Sequence, residues 1–392
     1  GGNTPYSYQW QSSMDNITFT DIIGATSLNF QPDQLPQSTW YRLNQISSND
    51  CGTLSTNTVA ITVYPEFHVG SVSADQGICY NTVPAQLVGT APTGGNPPYS
   101  YQWQYSTDNL SFADIAGATG INYQPGALVQ TTWYRLKQTS AGSCGMMTTD
   151  PVKVTVYQTF VVGSISTDQI ICYNTTPAQL IGVAPSGGNM PYAYQWQISN
   201  DNLAFSDISG AISMNYQPGP LTQTIYYRLK QTSSSGCGTE MTNTVSITVY
   251  PEFQVGSISA NQNICYNTVP GRLFGGAPTG GSAPYTYKWQ SSTDGITFKD
   301  VSGAPNLSYQ PGALTTTTWF RQLQTSANGC GTPITDTVII AVLPEFMAGS
   351  ISADQVIAYN TTPAQLNGIA PAGGILPYTY QWLSSTDNIT FS

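Results

Sequence analysis

The chain has 392 residues, of which only 8% are charged, with 10 Lys and Arg against 20 Asp and Glu and a net charge of −10; typical soluble domains carry about 25% charged residues. The basic residues are scattered along the sequence, which disfavours nucleic acid and anionic membranes as partners, because phosphate binding needs clustered Lys and Arg. Solubility falls to Thr, Ser, Asn and Gln, a surface that suits an extracellular setting, and no apolar run reaches the roughly 18 residues of a membrane span.

The chain opens near "PYSYQW" and returns to that phrase until its end. Trp10, Trp103, Trp196, Trp289 and Trp382 recur every 93 residues, so the chain is a tandem array whose two ends both fall inside a repeat. We expect it to be part of a longer protein. A unit of this size holds its own core, unlike the short repeats of a solenoid. The expected boundaries are 1–66 (partial), 67–159, 160–252, 253–345 and 346–392 (partial).

Taken in chain order, the second unit reads as β-strands. "HVGSVSA" alternates and predicts a first strand; "PAQLVGT" predicts a second, with Ala85 and Leu87 on one face. A Gly/Pro loop follows. "YSYQWQY" then places Tyr99, Tyr101, Trp103 and Tyr105 on one face and Ser100, Gln102 and Gln104 on the other, a period of two with an aromatic core face. "STDNLSF" turns the chain, since Asp-Asn (Asp294-Gly295 in the fourth unit) favours the positive φ of a tight hairpin. "INYQPG" predicts a short strand. "TTWYRLKQTS" predicts a long one with Tyr134 and Leu136 facing in and Trp133 and Arg135 facing out. After the "AGSCG" turn, "TDPVKVTVY" is the last strand.

Seven or so short antiparallel strands predict an all-β, immunoglobulin-like β-sandwich. Trp103 takes the place of the strand-C tryptophan, and Tyr134 that of the strand-F tyrosine, with Phe320 as its counterpart in the fourth unit. The junctions "VYPEFHVG", "VYQTFVVG", "VYPEFQVG" and "VLPEFMAG" are short and lack Gly/Ser runs. They predict tandem domains arranged as an elongated, fairly stiff rod.

No catalytic, cofactor or metal residues are assigned. The single histidine, His68, has Val161, Gln254 and Met347 as counterparts and reads as a variable strand position. Asp108, Asn109 and Asp114 recur in each hairpin and invite a calcium reading, but two carboxylates are few for six to eight oxygens, so hairpin-turn chemistry is the expectation. Trp40, Trp133, Tyr226 and Trp319 point away from the predicted core. They are candidate ligand-facing aromatics for sugar rings, against the alternative of packing on Arg42, Arg135, Arg228 and Arg321 two residues later.

The phrases "ICYNT", "PAQL", "PYSYQWQ" and "YRLKQTS" together resemble the immunoglobulin-like repeats of giant Bacteroidota surface adhesins, including SprB-type gliding adhesins exported by type IX secretion. The resemblance covers the whole chain. It implies a cell-surface protein in which the array is a stalk or filament segment, with further repeats of the same chain, surface glycans or other filament subunits as partners. It also implies that Asp336-Thr337-Val338 matches a short O-glycosylation pattern. An array of repeats each binding glycan or calcium is the alternative.

The cysteines form two series at the same period: Cys79, Cys172 and Cys265 before the second strand, with Ala358 in the next place, and Cys51, Cys144, Cys237 and Cys330 in the "CG" turn. The position of an antibody core bridge is occupied by Leu43, Leu136 and Leu229, and by Leu323 one residue later in the fourth unit. Regular placement in an oxidising compartment predicts disulfides. The two series lie at opposite poles of a sandwich, roughly 30 Å apart for strands of ~9 residues at ~3.3 Å each. Bridges between successive units follow, Cys79–Cys237 and Cys172–Cys330, with Cys265, Cys144 and Cys51 paired to cysteines outside the chain. An intradomain Cys79–Cys144 bridge and free thiols stay open as alternatives.

Overall fold

The computed structural model describes residues 2–49 and 51–392. By contacts it separates into two compact units: Gly1–Val162 with Pro185–Ala193 and Gln231–Glu240, and Gly163–Ala184 with Tyr194–Lys230 and Met241–Ser392. Among the described residues the secondary structure is β apart from two single 3-10 turns, Ala141–Ser143 and Ala327–Gly329.

In the first unit, residues 67–159 form two facing sheets. The larger has the order Gln76–Cys79, Val152–Tyr157, Thr132–Ser140, Tyr99–Ser106, Ala113–Asp114, with Met146–Thr148 also on Thr132–Ser140. The smaller pairs Leu87–Val88 with Asn122–Tyr123. "HVGSVSA" does not form a continuous strand: single bridges His68↔Thr93 and Val72↔Gly89 take its place.

The alternation in Thr132–Ser140 sets the register. Leu136 lies opposite Trp103, and Arg135 opposite Gln104, so the first pair faces the core and the second faces out. Leu87, Trp103, Ala118, Tyr134, Leu136, Val152 and Val154 fill the space between the sheets. Trp103 is fully buried, and its indole N–H donates to the Gly120 carbonyl at 3.1 Å. Tyr123 sits 6.0 Å from both Trp103 and Tyr134, a tilted aromatic run through the core.

The second unit holds two cores, each built around one fully buried tryptophan. One is Ile165, Leu180, Trp196, Ile225, Tyr227, Leu229, Val245 and Ile247; the other is Leu273, Trp289, Ala304, Phe320, Val338 and Ile340. In the fourth repeat Leu323 does not take the core place. Gln322 does, fully buried opposite Trp289, and Leu323 faces out beside Lys288. In residues 347–392 no strand forms beyond isolated bridges, and Trp382 is 55% exposed; the counterpart of Thr132–Ser140 does not occur in this part of the chain.

One strand was not visible in the sequence. Gln76–Cys79 runs parallel to Val152–Tyr157, with Tyr157 opposite Cys79. Cys79 therefore closes a strand rather than sitting in a loop, while Cys172 and Cys265 directly follow theirs, Gln169–Ile171 and Gln262–Ile264. "QGIC" is too short to show a period, and its partner lies far along the chain.

Candidate functional site

The two cysteine series occupy two kinds of local structure, each dictated by its neighbours. After Cys79 the chain turns sharply, with Asn81 at φ 57°. Asn tolerates this left-handed region better than most residues. The Thr82 hydroxyl donates to the Cys79 carbonyl at 2.7 Å, and the Asn81 N–H donates to the Leu128 carbonyl at 2.8 Å. Thr175 and Thr268 repeat the first bond on Cys172 and Cys265 at 2.7 Å. Thr361 repeats it on Ala358, so the turn does not depend on the thiol.

The "CG" turn is built on glycine and on the junction phenylalanine. Gly238 has φ 153°, and a Cβ there would lie 2.6 Å from the Phe160 side chain. Phe160 in turn lies 6.1 Å from Tyr192, whose hydroxyl donates to the Gly187 carbonyl at 2.7 Å. The Gly188 N–H donates to Gln158 at 2.7 Å. The "GG" loop of a repeat thus clasps the peptide leading into that same repeat. In the second repeat the Gly95 N–H donates to the Pro65 carbonyl at 2.8 Å, and Phe67 is buried against Gly95 and Gly145.

Within the first unit Cys79 is bonded to Cys237, with S–S 2.07 Å and Cα–Cα 5.2 Å. Within the second unit Cys172 is bonded to Cys330, with S–S 2.02 Å and Cα–Cα 5.1 Å. Both Cα separations fall inside the range a disulfide spans without moving the backbone. Each bond joins one repeat to the next. Cys79 and Cys144, which share a repeat, are not joined; Cys51, Cys144 and Cys265 are free in this chain, Cys144 half-buried and the other two exposed.

The hairpin aspartates are absorbed by their own turns. Asp108 Oδ1 accepts from the Ser106 hydroxyl at 2.7 Å and from the Leu110 and Ser111 N–H groups at 2.8 Å each, while Asn109 takes φ 60°. These bonds, the Ser111 N–H first, hold the Asp108 carboxyl down at about 2. The same turn lowers Asp15, Asp201, Asp294 and Asp387; the largest cause is a backbone N–H, except at Asp294, where it is the Ser292 hydroxyl. Asp114 turns elsewhere and accepts from Gln104 Nε2 at 2.6 Å. The two carboxylates do not share a site, and among the described residues no group of three His, Cys, Asp or Glu side chains is placed to hold a metal. His68 contributes only its backbone, bonded both ways to Thr93 at 2.9 Å.

Trp40, Trp133, Tyr226 and Trp319 are each half-buried on the outer face of the larger sheets. The arginines do not stack on them. Arg42, Arg135, Arg228 and Arg321 lie instead over Phe19, Phe112, Phe205 and Phe298, at 4.0, 4.0, 4.0 and 3.9 Å. Arg135 Nε also donates to Gln104 Oε1 at 2.7 Å, which links it through Gln104 to Asp114. Lys153 Nζ is 5.5 Å from the Trp133 ring, and a Cβ at Gly295 would lie 3.2 Å from the Trp319 ring. Nine of the ten basic residues (Arg272 is the exception) lie on strands of the larger sheets, spread over four repeats.

Two facing sheets, a buried tryptophan opposite a long central strand, and this pattern repeated along the chain define a tandem array of immunoglobulin-like β-sandwiches. The sequence model of one family, described as "Domain of unknown function (DUF8696)", matches residues 1–65, 68–158, 161–251, 254–344 and 347–392, and the chain belongs to that family. No curated protein matches in sequence. Among solved structures, the three N-terminal domains of the bacteriophage RB49 outer capsid protein Hoc are 10% identical, cover 70% of this chain and 99% of theirs, and have a TM-score of 0.35. Titin domains A168–A170 are 15% identical over 70% of this chain and 99% of theirs, with a TM-score of 0.31. Drosophila N-cadherin EC1-4 is 9% identical over 86% and 92%, also with a TM-score of 0.31.

Proposed function

We propose that the array is a stalk or filament segment of a large secreted bacterial surface adhesin, of the kind the SprB-type resemblance implies. Its units are 67–159, 160–252 and 253–345, with parts of two more in 1–66 and 346–392. The observation that carries the reading is the covalent bond that joins 67–159 to 160–252 and the one that joins 160–252 to 253–345, at two of the four junctions. Such bonds belong to an oxidising compartment, so the chain is read as extracellular. The clasped linkers support the same reading, since each entering peptide is fixed to the repeat it enters. The hairpin carboxylates are bonded within their own turns, and the reading assigns no ligand and no catalysis to the repeats themselves.

The test is made in the organism that carries the gene. Antibodies to residues 67–345 should label the cell surface without permeabilisation. Deleting one 93-residue period should shorten the labelled surface structure while leaving adhesion intact. Loss of adhesion on deleting a repeat, or sugar binding by residues 67–252 on a glycan array that disappears with Trp133→Ala, would overturn the stalk reading in favour of a binding array.

A further inference from the structure

In chain order the four bonded cysteines are Cys79, Cys172, Cys237 and Cys330, and the bonds join the first to the third and the second to the fourth. The two closed loops therefore overlap. One covalent route from Cys79 to Cys330 crosses the first bond and follows the backbone from 237 to 330. A second follows the backbone from 79 to 172 and crosses the second bond. The segment from 172 to 237 links the two routes like a rung.

We infer that residues 80–329 form a covalently redundant section: hydrolysis of any single peptide bond within it leaves residues 79 and 330 joined. A cut between 79 and 172 leaves the first route whole, a cut between 237 and 330 leaves the second, and a cut between 172 and 237 leaves both. Bonds closed within each repeat would not do this, because a cut between two repeats would then part the chain. The device answers a hazard visible on the fold. Each hairpin lifts one aliphatic side chain into solvent, with Leu110, Leu203 and Ile296 at 85, 86 and 85% exposure, and exposed loop tips are where proteases nick. Hydrolysis adds one water per bond and leaves the disulfides intact. Opening a disulfide takes two electrons and two protons, which a dithiol supplies by closing to its own cyclic disulfide.

The same topology limits reach. With both bonds closed, the fully drawn-out path from Cys79 to Cys330 contains 93 residues of backbone whichever route is taken. Opening both releases a further 158 residues, the span of one loop, or about 520–570 Å at roughly 3.3–3.6 Å per residue. The inference concerns connectivity and stands apart from the stalk reading; its failure would leave a surface role untouched.

The experiment inserts a recognition sequence for a site-specific protease beside Leu110, Leu203 or Ile296 in the full chain. After complete cutting, each protein should run as one species of the uncut mass on a non-reducing denaturing gel and split in two with dithiothreitol. Separation without reductant at any of the three sites overturns the inference. In the Cys79→Ser/Cys237→Ser variant, a cut beside Leu110 should part the chain without reductant, while a cut beside Leu203 should not. A chain still joined after the Leu110 cut would mean that other bonds hold it, which also overturns the connectivity. Should that variant fail to fold, the three cuts in the unaltered chain decide alone.

Discussion

The second and fourth repeats carry the same ladder with different chemistry at its centre. In the second, Leu136 is buried opposite Trp103; in the fourth, Gln322 is buried opposite Trp289. Gln322 is accommodated because both ends of its amide are used. Its Nε2 donates to the Asn306 and Leu307 carbonyls at 3.1 and 3.3 Å, and its Oε1 accepts from Gln324 Nε2 at 2.9 Å. The backbone around the position is unchanged: the Leu136 N–H donates to Thr149 Oγ1 at 3.0 Å and the Gln322 N–H to Thr335 Oγ1 at 2.9 Å. The frame is thus set by the backbone ladder and the tryptophan, and the next core position accepts either an apolar group or a polar one whose bonds are complete.

Removing the shared element should have the largest effect. Trp103→Ala and Trp289→Ala should each destabilise their own repeat by about 3–5 kcal/mol, read as the loss of one transition in denaturant titrations of each variant. Equal losses in the two would confirm that the tryptophan, not its neighbour, sets the frame. Leu136→Gln should cost about 1–3 kcal/mol. The second repeat offers the Gly120 and Ile121 carbonyls in the corresponding places, and Gly120 accepts from Trp103 as Asn306 accepts from Trp289, so the expected cost is that of moving the amide out of water into a site shaped for leucine. The reverse exchange, Gln322→Leu, should fall within about 1 kcal/mol of the parent, because Gln324 keeps its bond to the Gly276 carbonyl at 3.0 Å. A loss as large as that of the tryptophan variant would show that the polar network, not the ladder, holds the fourth core.

The smallest effect concerns the hairpins that both repeats share. Their aspartates have folded-state pKa values below the unfolded value, so their contribution is present above about 4 and is lost as pH falls through the folded value, about 2 for Asp108. Carboxyl chemical shifts followed by NMR from pH 5 downward should titrate late for Asp108 and Asp294. Asp108→Asn should flatten the acid limb of stability and lower stability slightly at pH 7, where the carboxylate's contribution is present, while leaving it unchanged below the folded value of about 2.

Much of this was legible where one strand carried its own evidence. The alternation in Thr132–Ser140 separates Tyr134 and Leu136 from Trp133 and Arg135 without any partner in view, and Asn109 and Gly295 announce the hairpin. What escaped needed a second segment. Gln76–Cys79 is a strand only because Val152–Tyr157 lies beside it. Arg135 stacks on Phe112, a residue of a different hairpin arm, rather than on its near neighbour Trp133. Leu323 was expected inside because it is the apolar member of "QL", but the register places the glutamine there. The smaller sheet is written in two-residue strands and single bridges, too short to show a period.

The phenylalanine of the junction alters what counts as one building block. Phe67 lies just outside the stretch matched by the family, 68–158, yet only 6% of it is exposed, seated on Gly95 and Gly145 of the repeat that follows. It behaves as a stopper for that repeat's end rather than as spacer. A piece excised from His68 would leave its socket open to water, while one begun at Pro65 would carry its stopper along with the carbonyl that Gly95 holds. The portable module, for grafting or for growth of the array by duplication, therefore begins upstream of where the recurring pattern is recognised.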